Sequence, residues 1–253
     1  MAMNRLVGKT AIVTASTDGI GFAIAQRLAR EGAKVIVSSR KLKNVEEAQQ
    51  KLSQEGLLVT GLVCHVGKRE DRQKLFTEAE KLGGLDILVS NAAVNPEVGA
   101  VLDCSESSWD KIFDINLKSS FMLAKEALPL LRKSKAGRII FISSIAGFQP
   151  FELLGAYSVS KTSLLGLTKA AAQQLAPEGI TVNSICPGVI QTNFSAALTE
   201  NEAAKEASLS MIPLKRIGQP RDVSGAVAFL ASDEGSYVTG ENIVISGGMQ
   251  SRL

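Results

Sequence analysis

Two hydrophobic rhythms alternate along this chain. Short apolar runs rich in valine and isoleucine, at 9–14, 33–39, 57–64, 86–89, 138–144, 180–185 and 238–246, read as buried strands. Between them lie longer stretches with apolar residues every three or four positions, which read as helices. These cover 22–30, 44–54, 68–82, 109–131, the segment carrying Tyr157 that ends near Pro177-Glu178-Gly179, and 222–232 behind Pro220. Cys186-Pro187-Gly188 is expected to break the sixth strand. The alternation runs from end to end without repeat, low-complexity tract or linker. It predicts one α/β domain: a doubly wound parallel sheet of about seven strands with helices on both faces.

In such a sheet ligands sit beyond the carboxyl ends of the strands. The first strand runs into Ala15-Ser16-Thr17-Asp18-Gly19-Ile20-Gly21 and then a helix, the order a Rossmann dinucleotide loop requires. Glycine lets the backbone approach a pyrophosphate, and the helix N-terminus offers N–H donors and partial positive charge. A Gly-x-Gly alone is weak evidence, and its flanking elements give it weight. About 20 residues past such a loop an acid would bind the ribose 2′-hydroxyl of NAD. Here stand Ser39, Arg40 and Lys41, which suit a 2′-phosphate because arginine forks onto phosphate oxygens. The expected coenzyme is NADP(H); a solvated basic strand end is the plainer alternative. His65, the only histidine, has no local partner for metal or nucleophilic work and is expected to line the adenine pocket. The fourth strand ends in Asn91-Ala92.

The chemistry centres on Ser144 at the end of the fifth strand and on Tyr157 and Lys161, four apart on one helical face. A free phenol has a pKa of about 10. A neighbouring ammonium favours the phenolate, and a shift of about 3 units requires roughly 4 kcal/mol. The strand-end hydroxyl could hold a substrate carbonyl beside that phenol, which makes a general acid/base device. Tyr-x-x-x-Lys by itself is common and usually marks a packing tyrosine. Asn116, an unfavourable helix-interior residue among apolar neighbours, reads as a helix distortion that aims a carbonyl or water at the site. The segment 193–213 interrupts the alternation and reads as a substrate lid, with the 148–154 loop as the other determinant of specificity.

Composition narrows the classes. The 253 residues are 45% hydrophobic, ample for a core. A net charge of +3, with basic and acidic residues interspersed, gives no nucleic-acid footprint. No apolar run approaches the ~18 residues of a membrane span, and the N-terminus lacks a signal-peptide core. Cys64, Cys104 and Cys186 have no metal spacing and read as small buried apolar residues of a reduced compartment. No metal is expected.

Ser144 with Tyr157-x-x-x-Lys161, Asn116, Asn91-Ala92 and Pro187-Gly188, in that order, make the chain resemble the short-chain dehydrogenase/reductase family over nearly its whole length. Thr14-Ala-Ser-Thr-Asp-Gly-Ile-Gly, Ser38-Ser-Arg-Lys, Cys64-His-Val-Gly-Lys and the terminal Ser251-Arg252-Leu253 look like its peroxisomal branch of NADPH-dependent carbonyl reductases and retinol dehydrogenases. The resemblance implies that Tyr157 protonates the alkoxide as hydride arrives. Lys161 would hold the nicotinamide ribose, Ser144 the substrate carbonyl, and Asn116 a relay water. The coenzyme would lie against Ala15, Thr17, Asp18, Gly19, Ile20, Ser39, Arg40, Lys41, His65, Val66, Asn91, Ala92, Tyr157, Lys161, Pro187, Gly188, Ile190 and Thr192. A homotetramer is implied, with the last strand and the Tyr157 helices near its contacts. So is import into peroxisomes through the tail, which resembles the Ser-Lys-Leu address. The pattern departs at Ala15, usually glycine; at Asp18, often basic in NADP-binding relatives; and at His65, usually aspartate. The expected activity is NADPH-dependent reduction of apolar ketones and aldehydes such as retinal, steroid ketones or aromatic diketones. Reduction of 3-oxoacyl thioesters and a non-catalytic NADP(H) sensor or scaffold are the alternatives.

Overall fold

The computed structural model of the protein describes residues 4–196 and 201–249, so the terminal Ser251-Arg252-Leu253 and part of the expected lid lie outside the described residues. Seven strands form one parallel sheet: β1 (Thr10–Val13), β2 (Lys34–Ser39), β3 (Val59–Val63), β4 (Ile87–Ser90), β5 (Arg138–Ile142), β6 (Thr181–Pro187) and β7 (Asn242–Ile245). Their order is β3-β2-β1-β4-β5-β6-β7. The chain winds outward from β1 to β3, then returns to β4 and winds the other way. That reversal opens a crevice past the carboxyl ends of β1 and β4.

The helices are α1 (Gly19–Arg30), α2 (Leu42–Gln54), α3 (Arg69–Lys81), α4 (Glu106–Phe113), α5 (Ser119–Leu131), α6 (Gly155–Leu175), α7 (Glu202–Met211) and α8 (Pro220–Ala231). Both faces of the central strands are covered, which is why β1, β4 and β5 read as near-continuous apolar runs. Successive strand residues alternate between two cores. Ile12, Leu88, Ile139 and Phe141 pack with Leu75, Leu123 and Leu164 of α3, α5 and α6. Val13, Val89, Ile140 and Ile142 pack with Ile24 and Leu28 of α1 and Val223 and Val227 of α8.

The departures from expectation have local causes. Helix α1 starts at Gly19, three residues early, because the Asp18 carboxylate caps it by accepting the Gly19 N–H at 2.7 Å. The run 109–131 is not one helix: Asp114–Lys118 forms a π turn between α4 and α5. Strand β6 is not broken at Cys186 but runs through Pro187, paired with Ile245. The N–H groups of Ser184 and Gly188 point to β7, so the proline nitrogen faces the other way, beyond the last β5 partner Ile142, and no ladder bond is lost. Strand β7 starts four residues late because 238–241 turn at Gly240 (φ 77°). That turn hangs on β6 by side chains: the Val182 N–H donates to Thr239 Oγ1 and Asn183 Nδ2 to the Val238 carbonyl. Cys64 and Cys186 are buried as expected, whereas Cys104 is partly exposed.

Candidate active site

The glycine turn is braced from two sides. Asn91, at the end of β4, donates Nδ2 to the carbonyls of Thr14 (3.1 Å) and Ala15 (3.0 Å). The N–H groups of Asn91 and Ala92 both reach Thr14 Oγ1. Ser16 donates its hydroxyl to the Val13 carbonyl and accepts the Ser38 N–H, which fixes the turn against β2. Ala15 adopts φ 50°, the left-handed region that costs a side chain about 1–2 kcal/mol. A Cβ on Gly21 would lie 2.3 Å from the Ala15 carbonyl, so only glycine lets α1 close on the turn. Thr17, Gly19 and Ile20 are half-buried, and Ala15 and Asp18 face outward.

Past β2, Ser39 is half-buried, and Arg40 and Lys41 are exposed. Among the described residues neither cation has an ion-pair partner, whereas many other arginines of the protein do. Past β3, His65 Nδ1 accepts the Gly67 N–H at 3.2 Å, which puts the proton of the neutral ring on Nε2. Its own N–H donates to Asp71, and buried Arg72 donates to the Val66 carbonyl at 2.8 Å while forking onto Glu126. Past β6, Gly188 packs so closely on Ser246 that a Cβ would meet it at 2.9 Å. Ile190 is buried against Gly218, and the γ-methyl of Thr192 faces Gly19. Asn193 Nδ2 donates to the Asp18 carboxylate at 2.6 Å, so the first residues of the 193–213 segment bridge to the glycine turn.

Ser144, Tyr157 and Lys161 meet past β5. Ser144 leaves the strand extended and caps the short turn Ile145–Gly147 by accepting the Ala146 N–H at 3.1 Å. That turn sits directly on α6: a Cβ on Gly147 would lie 2.9 Å from the Lys161 backbone, and Ser143 donates its hydroxyl to the Lys161 carbonyl. Lys161 is 2% exposed, and its Nζ donates to the Ile142 carbonyl at 2.8 Å. Nζ stands 5.5 Å from the Tyr157 ring centroid. The expected electrostatics are corrected here. Burial raises the Tyr157 pKa rather than lowering it; only the Ser144 hydroxyl draws it back. Burial also drives Lys161 down to about 8. The ammonium lies beside the ring and bonds to a carbonyl, so desolvation of the phenolate outweighs its pull.

Asn116 is buried in the π turn. Its amide clamps the backbone of Val94 (Oδ1 to N–H 2.8 Å, Nδ2 to carbonyl 3.0 Å) and reaches Ser160 on α6. Phe194, not singled out in the sequence, tilts over Tyr157 with ring centroids 5.8 Å apart. Burial pushes the Cys64 thiol up to about 12 and Cys186 in the same direction, so neither is a ready thiolate. Among the described residues no helix is long and apolar enough to cross a membrane.

The reversal crevice is lined by a glycine turn, and a serine, a tyrosine and a lysine converge beside it, the arrangement expected of an oxidoreductase. A family model described as Enoyl-(Acyl carrier protein) reductase matches residues 14–250. The crystal structure of a "putative gluconate dehydrogenase" from Agrobacterium tumefaciens superposes with a TM-score of 0.94 at 30% identity, covering 100% of both chains. The chain belongs to the short-chain dehydrogenase/reductase family, whose members bind a nicotinamide coenzyme, and it is an oxidoreductase acting on carbonyl or hydroxyl groups. More particularly, it is similar to Dehydrogenase/reductase SDR family member 4. The Oryctolagus cuniculus protein is 52% identical and covers 98% of this chain and 96% of its own length. The Homo sapiens protein is 52% identical, covering 98% and 90%. Tropinone reductase-like 3 of Erythroxylum coca is 50% identical, covering 100% and 97%.

Proposed function

We propose that this protein reduces apolar ketones and aldehydes with NADPH. The observation that carries the reading is the Ser144 hydroxyl set on the Tyr157 phenol with Lys161 beside the ring. NADPH, when bound, supplies the hydride to the carbonyl carbon. Ser144 donates a hydrogen bond to the carbonyl oxygen, and Tyr157 passes its proton to that oxygen as negative charge develops. A buried phenol that holds its proton suits the reductive direction, because an alkoxide is the stronger base. Lys161 keeps a cation beside the ring and would hold the nicotinamide ribose, and Asn116 would hold the relay water. Replacing Tyr157 with phenylalanine should leave NADPH affinity within twofold and reduce turnover at least a thousandfold; turnover near the parent's would end the catalytic reading.

Arg40 and Lys41, without an ion-pair partner among the described residues, support NADP(H) over NAD(H) together with Ser39. The remaining coenzyme contacts would come from Ala15, Thr17, Asp18, Gly19, Ile20, His65, Val66, Asn91, Ala92, Pro187, Gly188, Ile190 and Thr192. Exposed Val98, Val101, Leu102 and Leu153 around the start of α6, with Phe194 over Tyr157, support an apolar substrate. The name of the matching family model favours acyl thioesters as a second reading. A panel containing retinal, an aromatic diketone and a 3-oxoacyl thioester separates the two by kcat/KM.

A groove of about 790 Å³ beside α6, lined by Phe113, Leu117, Phe121 and Leu167, supports the homotetramer, because pairing of subunits would cover it. A monomer in sedimentation would remove that reading. The Ser251-Arg252-Leu253 tail supports a peroxisomal destination with a cytoplasmic fraction. Deleting it should leave the protein cytosolic, and an unchanged distribution would refute the address.

A further inference from the structure

Asn116 does not stand alone in its π turn. The Ser119 N–H reaches back five residues to the Asp114 carbonyl, so the turn carries one more residue than an α-helix would. Its carbonyls are taken by hydroxyls: Ser119 Oγ donates to the Ile115 carbonyl (2.6 Å) and Ser120 Oγ to that of Asn116 (3.1 Å). Ser120 Oγ also accepts the Ser90 hydroxyl (3.0 Å), tying the turn to β4. Only one bond of the Asn116 side chain leads to the helix that carries Tyr157 and Lys161. Asn116 Nδ2 donates to Ser160 Oγ at 3.0 Å, and Ser160 Oγ donates its single proton to the Tyr157 carbonyl at 2.6 Å.

Ser160 is fully buried. Its oxygen must accept from one side and donate to the other at once, which a hydroxyl does well, a thiol feebly and a methyl not at all. Replacing it leaves an amide hydrogen of Asn116 and a lone pair of the Tyr157 carbonyl unanswered in a closed interior, where neither finds water easily. The Val94 clamp would still hold Asn116 to the loop after β4, but no other side-chain bond of Asn116 among the described residues would hold it in register with α6.

We propose that Ser160 is a positioning residue for the reaction, fixing the Asn116 turn against the Tyr157–Lys161 face of α6. This rests on the catalytic reading above, in which Asn116, Tyr157 and Lys161 act together. Ser160 itself touches neither substrate nor coenzyme.

The test is a double-mutant cycle on kcat. The full-length enzyme is saturated with NADPH and given whichever carbonyl of the panel the parent reduces fastest. Ser160→Ala should lower kcat about tenfold while the Kd for NADPH stays within twofold. In the Asn116→Ala background the same change should alter kcat less than twofold, because the residue through which Ser160 acts is gone. A merely structural role would multiply the two losses. If Ser160→Ala does not fold, Ser160→Cys keeps the volume but donates and accepts feebly, and the same numbers apply. Turnover of Ser160→Ala within twofold of the parent, or multiplied losses in the double variant, overturns the proposal. Failure of the catalytic reading shows separately, as turnover by Tyr157→Phe.

Discussion

Replacing Lys161 with methionine tests how the site handles a buried charge. Burial takes this ammonium from 10.5 down to about 8. A shift of that size is a preference for the neutral amine of roughly 3 kcal/mol. The unfolded chain keeps the proton up to about 10.5, whereas the folded chain releases it near 8. Between those values the unfolded state binds more protons, so raising the pH favours folding. Below about pH 8 both states are charged and the penalty is present in full; above about 10.5 both are neutral and it is gone. The parent should therefore gain roughly 3 kcal/mol relative to Lys161→Met between about pH 7 and about pH 10.5. Loss of the bond to the Ile142 carbonyl adds a constant offset of about 1–3 kcal/mol that does not depend on pH. Tyr157 is common to both proteins, and its raised pKa lowers stability only above about 10, as the unfolded phenol ionises first. Urea unfolding of both proteins, followed through Trp109 fluorescence across that range, reads the difference. Parallel curves of unfolding free energy against pH would refute the reasoning.

Other expectations follow from single residues. Arg40→Ala should weaken NADPH about 10- to 100-fold, the worth of one charge-assisted phosphate contact, and leave NADH within twofold. Equal losses for both coenzymes, measured by titration, would remove Arg40 from the 2′-phosphate. Ala15→Gly relieves a side chain held at φ 50° and should stabilise by about 0.5 kcal/mol, after the greater chain entropy of glycine is set against it. A lower melting temperature would show that the strain is compensated elsewhere.

Much of this fold lay open in the chain because both faces of a parallel sheet are buried, and each strand then announces itself as a short apolar run between helices. The strand ends were harder. The apolar pattern of Val238 continues into β7, yet the bonds of Thr239 and Asn183 decide that the ladder starts at Asn242. Proline at 187 argued for a break, and only the direction in which its nitrogen faces shows why the strand runs on. Asn116 as a helix distortion was legible, since asparagine is out of place among apolar neighbours, and the π turn is that distortion. Ser160 was not, because a serine in a helix bears no mark of a partner 44 residues away. Phe194 looked like one apolar residue among several in its segment. The direction of the Tyr157 shift was missed for a different reason: a neighbouring lysine is visible in sequence, but the depth at which both side chains lie is not.

The bond between Asp18 and Asn193 joins positions 175 residues apart and closes a loop of chain across the mouth of the crevice. A diphosphate bound at this turn, as proposed above, would compete for the Gly19 amide with the carboxylate that already holds it. On that reading, coenzyme exchange would be coupled to Asn193, the first residue of the expected lid.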